Sequence, residues 1–211
     1  MKKIRILISG GEGNLSTHLQ AQNREYELYA PSKKEMDIKK IEDIEKAINY
    51  FSPHYFLHCA ALTRPMVIHE KDPILSIQTN IIGTSNISAS CIKHDIKLIY
   101  ISTDYVYPGI KGNYKENSNL KPINNYAWSK LGGECAVMMY SNSLILRVCM
   151  TERPFVHKFA YNNFKTNFIF HDQVAKFLPK LFKYKGVINV GGKSRTVYNF
   201  SKKYNPKIKG K

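Results

Sequence analysis

Ile4-Arg5-Ile6-Leu7-Ile8-Ser9-Gly10-Gly11-Glu12-Gly13-Asn14-Leu15-Ser16, at the head of the chain, is the stretch on which the reading of the fold turns. A short, nearly continuous apolar run ending in glycine is the pattern of a central parallel strand covered on both faces. Gly-x-x-Gly-x-x-small follows, and a helix is expected from Asn14 onward. Strand, glycine turn and helix in that order let backbone amides approach a dinucleotide pyrophosphate at the positive end of the helix. Ser16 stands where a third glycine would allow closer contact between helix and sheet. Met1-Lys2-Lys3-Ile4-Arg5 imitates the start of a secretion signal, but the apolar run breaks at Ser9-Gly10-Gly11, well short of an apolar signal core.

Working outward, residues 26–30 read as a second strand closed by Pro31. Residues 37–51 carry Ile38, Ile41, Ile44, Ala47, Ile48 and Phe51 on one helical face, and Pro53 ends that helix. Residues 55–61 read as a strand leading into a loop, 73–94 as a long helix and 97–102 as a fourth strand. A loop over 108–125, rich in Gly, Asn and Pro, precedes a helix over 126–140 and a strand over 143–149. The pattern then loosens into a helix (172–183), a strand (186–192) and a short last helix (196–204). Strands alternating with helices at this spacing imply right-handed crossovers and an α/β fold, a doubly wound parallel sheet of Rossmann type. Ligands of such sheets bind beyond the carboxyl ends of the strands, where Gly10, Cys59, Thr103 and Val148 fall.

The 211 residues fit one α/β domain with a substantial core, and no apolar run is long enough to span a bilayer. A soluble, cytoplasmic protein with no membrane partner is expected. Cys59, Cys91, Cys135 and Cys149 lie far apart, with no Cys-x-x-Cys pair, so reduced thiols and no metal site are expected. The net charge of +16 favours anionic ligands. The lysines are scattered, with small clusters at Lys2-Lys3, Lys33-Lys34, Lys39-Lys40 and Lys202-Lys203, and no nucleic-acid-binding motif appears. Specific nucleic-acid binding is therefore not expected. Lysines mixed with helix breakers over 201–211 read as a basic, frayed tail.

Tyr-x-x-x-Lys sets a phenol and an ammonium on one helical face, where the ammonium lowers the phenol pKa and makes it a better proton relay. The spacing occurs five times, starting at Tyr29, Tyr107, Tyr126, Tyr161 and Tyr198. Only Tyr126 opens a helix shortly after a strand that ends in Ser102-Thr103, and that context singles out Tyr126 and Lys130. At the end of the second strand, where NAD-preferring folds place a carboxylate, stand Ser32-Lys33-Lys34, which suits the extra phosphate of NADP.

Several stretches in order carry a family resemblance: Ser32-Lys33-Lys34-Glu35-Met36-Asp37-Ile38, Cys59-Ala60-Ala61-Leu62-Thr63, Asn80-Ile81-Ile82-Gly83-Thr84, Ile101 through Gly109, and Tyr126-Ala127-Trp128-Ser129-Lys130-Leu131-Gly132-Gly133-Glu134. Over about residues 4–150 the chain resembles the extended short-chain dehydrogenase/reductases, and among them the dTDP-4-dehydrorhamnose reductase group of sugar-nucleotide reductases. The resemblance implies NADPH-dependent reduction of a nucleotide-linked 4-keto-6-deoxy sugar, with NADH as a second cofactor. It implies that Tyr126 donates a proton to the sugar carbonyl, that Lys130 tunes the phenol and holds the nicotinamide ribose, and that Thr103 hydrogen-bonds the carbonyl with Ser102 beside it. Gly10, Gly13, Asn14 and Leu15 would line the pyrophosphate, Ser32 and Lys33 the ribose phosphate, and Asp37 and Ile38 the adenine. Cys59, Ala60, Ala61 and Thr63 would line the inner cofactor, and Asn80 would support the site from the middle helix.

The departure from the family lies after Cys149, where the chain looks like a compressed version of the late helix and strand. The expected organisation is a dinucleotide-binding domain over 1–150, a reduced substrate lobe over 151–200 packed on it, and the basic tail over 201–211. Arg147, Arg153, Lys193 and Arg195 are candidates either to contact a substrate diphosphate or to face solvent. The alternative function is a non-catalytic, NADP-binding regulatory or scaffold subunit, resembling the regulatory subunit of methionine adenosyltransferase. A homodimer is compatible with the fold without being required by it.

Overall fold

Ile6, Leu7 and Ile8 are all wholly buried, which a strand achieves only inside a sheet covered on both faces. The computed structural model describes residues 3–153, 155 and 158–211, so Lys2 of the Lys2-Lys3 cluster lies outside the described residues. In chain order the elements are β1 (Arg5–Ser9), α1 (Asn14–Gln22), β2 (Glu27–Tyr29), α2 (Ile41–Phe51), β3 (Tyr55–His58), α3 (Met66–Lys71) and α4 (Pro73–Ser76). A π turn (Ile77–Ile82), α5 (Gly83–Lys93), β4 (Lys97–Thr103), α6 (Asn125–Met138) and β5 (Ser143–Val148) follow. Four short strands, β6 (Met150–Thr151), β7 (Phe159–Ala160), β8 (Lys165–Thr166) and β9 (Ile169–Phe170), lead to α7 (His171–Leu181), β10 (Gly186–Val190), β11 (Arg195–Thr196), α8 (Val197–Tyr204) and β12 (Lys209–Gly210).

The central sheet is parallel throughout, in the order β10-β5-β4-β3-β1-β2. Because successive side chains on a strand face opposite ways, Ile6 and Ile8 pack with Leu15 and Leu19 of α1 and with Val174 and Leu178 of α7. Leu7 faces the other layer, against Ile44 and Ile48 of α2, Ile87 and Cys91 of α5 and Val137 of α6. Among the described residues no helix is long and apolar enough to cross a membrane.

Four expectations differ from the structure. The helix expected from Asp37 starts at Ile41, because the Asp37 carboxylate accepts from the Lys39 amide while the Asp37 amide donates to Asp43, and these bonds hold a turn. The stretch before Pro73, expected as a loop, contains α3, and the long helix behind it is interrupted by the π turn that carries Asn80. The boundary expected at 150 does not separate two packing units: β10 pairs in register with β5, and α7 belongs to the main core. The tail is not frayed, because Ile208 is buried with Phe155, Ala160 and Val197, and β12 pairs with β7.

One buried ion pair ties α6 to the sheet. Glu134 of α6 and Arg147 of β5, with side chains 0% and 2% exposed, meet at 2.8 Å, and Arg147 Nε donates to both Glu134 oxygens at 3.1 Å. Arg147 therefore neither faces solvent nor reaches a ligand, a correction that its register beside Ser102 in the sheet interior explains. Its Nη1 also donates to the Tyr107 hydroxyl and the Glu116 carbonyl, and Tyr107 donates on to Asn189 of β10, which anchors the long loop after β4. Arg147→Met strands the Glu134 carboxylate in the core and is expected to cost about 3–5 kcal/mol in urea denaturation. Adding Glu134→Gln should return part of that loss.

Candidate active site

The strand order reverses between β1 and β3, so the loops leaving their carboxyl ends diverge and open a cleft there. The cleft encloses about 340 Å³, with walls from the glycine turn and α1, the loop after β3, the end of β4, the start of α6 and the segment after β5. Gly10 takes φ +72°, and a Cβ there would come within 2.8 Å of the Ala60 backbone. The turn closes through the Gly13 amide donating to the Gly10 carbonyl at 2.9 Å. No side chain caps α1, and Gly13, Asn14, Leu15 and Ser16 line the cleft. Free first-turn amides at a helix N-terminus suit a phosphate, so this end of the cleft fits a dinucleotide pyrophosphate.

The opposite wall rests on a buried relay that sequence reasoning missed. The Ala60 amide donates to Ser9 Oγ at 3.3 Å, and Ser9 Oγ and His58 Nδ1 are 2.8 Å apart. His58 Nε2 meets Thr84 Oγ1 at 2.9 Å, and Thr84 donates in turn to the Asn80 carbonyl at 2.7 Å. Since Thr84 spends its proton on Asn80, His58 must donate from Nε2 and accept Ser9's proton at Nδ1, which makes it neutral. Burial, and then the charge of Lys130, hold its pKa well below the usual histidine value. The Asn80 side chain accepts from the Leu62 amide at 2.8 Å and donates to the Leu62 carbonyl and to Ser129 Oγ. It fixes the loop that carries Cys59, Ala61 and Thr63 along the cleft and ties that loop to α6. Burial pushes the Cys59 thiol up to about 12, so it stays protonated.

Thr103, Tyr126 and Lys130 line the same cleft. Asn124 caps α6 by accepting from the Ala127 amide at 2.8 Å, which starts the helix in place to present Tyr126 in its first turn. Gly133 lets that helix sit close: a Cβ would fall 2.6 Å from the Tyr100 hydroxyl and 2.7 Å from the Asn80 carbonyl. Burial raises the Tyr126 phenol to about 12, and the Thr103 hydroxyl and the Arg64 charge oppose the rise. Lys130 Nζ donates to the Ile101 carbonyl at 2.8 Å and lies 4.1 Å above the Tyr100 ring. Burial drives its pKa down to about 7, against the opposing pull of Glu134. Ser102 also lines the cleft, with its hydroxyl donating to Glu134 Oε1 at 2.5 Å.

Ser32, Lys33, Asp37 and Ile38 follow β2 in the chain and are not among the residues that line the cleft. Lys33 and Lys34 are exposed, and Ile38 is buried against Gly83. Glu35, which the sequence reading gave no role, accepts from the Ser32 amide and hydroxyl, both at 2.7 Å. Its Ser-x-x-Glu spacing was the available signal. Two further charged residues went unnoticed, Arg64 in the loop after β3 and Glu152 after β6, which form an ion pair at the cleft although 88 residues apart. Arg153 instead lies over the Phe170 ring and pairs with Asp172, while Lys193 is exposed and Arg195 half-buried.

A family model described as RmlD substrate binding domain matches residues 4–173. The chain belongs to this family. Within it, dTDP-4-dehydrorhamnose reductase of Aggregatibacter actinomycetemcomitans is 32% identical over 152 residues, 70% of this chain and 51% of that protein. Methionine adenosyltransferase 2 subunit beta of Rattus norvegicus is 32% identical over 143 residues, 64% of this chain and 42% of that protein. The chain thus spans about half the length, or less, of these curated relatives. Among solved structures, dTDP-4-dehydrorhamnose reductase of Bacillus anthracis in complex with NADP superposes with a TM-score of 0.91 at 26% identity, covering 100% of this chain and 85% of that one.

The Lys130 value gives this family member a measurable signature. A folded pKa near 7, below the roughly 10.4 of an unfolded lysine, means that between those values the unfolded chain binds a proton that the native protein does not. The penalty is full below the folded value and fades as pH rises. Lys130→Met removes it, so the variant's gain in melting temperature should be largest at neutral pH and shrink by about pH 9.5. Differential scanning fluorimetry across that range checks this, and a gain that grows with pH would contradict the assignment.

Proposed function

We propose that the chain is an NADPH-dependent reductase of a nucleotide-linked 4-keto-6-deoxy sugar, able to use NADH less well. The observation that carries this reading is the convergence of Thr103, Tyr126 and Lys130 on one cleft with the uncapped start of α1. The NADP complex of the Bacillus anthracis relative supports the cofactor. NADPH, when bound, supplies the hydride. Gly10, Gly13, Asn14 and Leu15 hold the pyrophosphate by backbone approach, and the loop from Cys59 to Thr63 backs the inner part of the cofactor.

Tyr126 gives its phenolic proton to the carbonyl oxygen as the carbonyl carbon is reduced; held near 12, the phenol is fully protonated at neutral pH but a weak acid, so the transfer depends on stabilising the phenolate it leaves. The phenolate left behind is met by the Thr103 hydroxyl and by the positive charge of Lys130, whose own pKa an anion beside it would raise. Thr103 aligns the carbonyl. Ser102, held by Glu134, fixes the strand end behind it. A cytoplasmic location goes with this reading. A homodimer would use α5 and α6, where Ile82, Trp128 and Met138 at or beside those helices expose large apolar side chains.

The second reading, a non-catalytic NADP-binding regulatory subunit, is favoured by the 32% identity to methionine adenosyltransferase 2 subunit beta. Loss of NADPH fluorescence on adding a dTDP-linked 4-keto-6-deoxy sugar separates the two readings. Turnover supports the reductase, whereas tight cofactor binding without oxidation supports the regulatory subunit. In the first case Tyr126→Phe should cut the rate about a hundredfold or more while NADPH affinity stays within about twofold. Lys33→Glu with Lys34→Glu should weaken NADPH by about tenfold and NADH far less, because one phosphate dianion distinguishes them. Parallel losses in a fluorescence titration would remove the lysines from cofactor selection.

A further inference from the structure

The ion pair between Arg64 and Glu152 crosses the mouth of the cleft. Arg64 leaves the end of β3 and Glu152 follows the end of β5, and β4 lies between those strands in the sheet. A contact between them therefore arches over the end of β4, where Thr103 stands and where Tyr126 comes in from α6. Only two lysine or arginine side chains line this cleft among the described residues, Arg64 and Lys130. Lys130 is buried and committed to the Ile101 carbonyl, whereas the Arg64 side chain is 53% exposed. The Arg64 charge acts on Tyr105, Tyr126 and His171 alike, so it lies within electrostatic reach of the residues around Thr103. Arg147, Arg153, Lys193 and Arg195 are all absent from the cleft wall among the described residues.

We propose that Arg64 is the anion anchor of the substrate half of the cleft, taking the diphosphate of a nucleotide-linked sugar, and that Glu152 is the counter-ion exchanged for that diphosphate. This rests on the sugar-nucleotide reading given above. A guanidinium fork donates to carboxylate and phosphate oxygens in the same bidentate geometry, so the two anions compete for one partner. The exchange is inexpensive because an exposed ion pair contributes little. It also makes selectivity: a neutral sugar or a free ketone brings nothing to displace Glu152, whereas a diphosphate does.

The test is isothermal titration of the NADPH-loaded protein with dTDP and with UDP, comparing wild type with Arg64→Ala, Arg64→Lys and Glu152→Gln, each checked for its native circular dichroism spectrum. Arg64→Ala should weaken both diphosphates by about tenfold or more, and Arg64→Lys should fall between it and wild type, because charge is kept but the fork is lost. Glu152→Gln should tighten them by about threefold, since the resting competitor is gone. NADPH affinity should stay within about twofold in all three variants. Diphosphate affinity unchanged in Arg64→Ala overturns the proposal and leaves the reductase reading standing. Weakening by Glu152→Gln, or a matching loss of NADPH affinity in Arg64→Ala, also overturns it. Wild-type protein that binds NADPH but neither diphosphate removes the sugar-nucleotide reading and this proposal together.

Discussion

A carboxylate and a guanidinium sealed from water between α6 and β5 are the constraint around which the site is built. Glu134 and Arg147 could be placed in that interior only by satisfying each other almost completely, because an unpaired charge in a core costs several kcal/mol. Once paired, they leave α6 one position relative to the sheet. Ser102 of β4 donates to the Glu134 carboxylate and Tyr107, from the loop beyond, accepts from Arg147, so β4, β5 and that loop are indexed to one ion pair. Tyr126 and Lys130, two turns and one turn before Glu134 on the same helix, inherit their placement from it.

The other wall is indexed in a different currency. The relay from the Ala60 amide through Ser9, His58 and Thr84 to the Asn80 carbonyl is neutral and buried, and each member is satisfied only while β1, β3 and the helix behind them keep their spacing. Asn80 then spends its side chain on Leu62 and Ser129, which couples this wall to α6. The charged network holds the helix that bears Tyr126 and Lys130, and the neutral one holds the loop from Cys59 to Thr63. Lys130 touches both, since its charge lowers the His58 pKa while Glu134 supports its own.

Periodicity identified β1, α1, α6 and β10 closely, because each is a local run whose burial pattern is set by its own side chains. It placed the start of α2 four residues too early, where the turn bonds of Asp37 outweigh the apolar stripe. It also read the C-terminal tail as loose, since the pairing of β12 with β7 and the burial of Ile208 depend on partners far away in sequence. The arginines are the clearest contrast: Arg147, Arg153 and Arg195, with Lys193, were candidates for an anion, while Arg64, directly after the Cys59–Thr63 motif, was passed over.

The order of motifs along the chain was enough to define a doubly wound parallel sheet, the glycine turn and the helix bearing Tyr126 and Lys130. Those features are encoded in contiguous residues, and a strand or helix shows its buried face in its own spacing. Which charges are buried as partners and which are left lining the cleft was settled by folding. Arg147 and Arg64 are the same side chain, and their fates diverge because β5 carries one beneath α6 to meet Glu134, while the loop after β3 lifts the other over the cleft to meet Glu152. That difference is a matter of desolvation and long-range proximity, and neither is written in the local sequence around either residue.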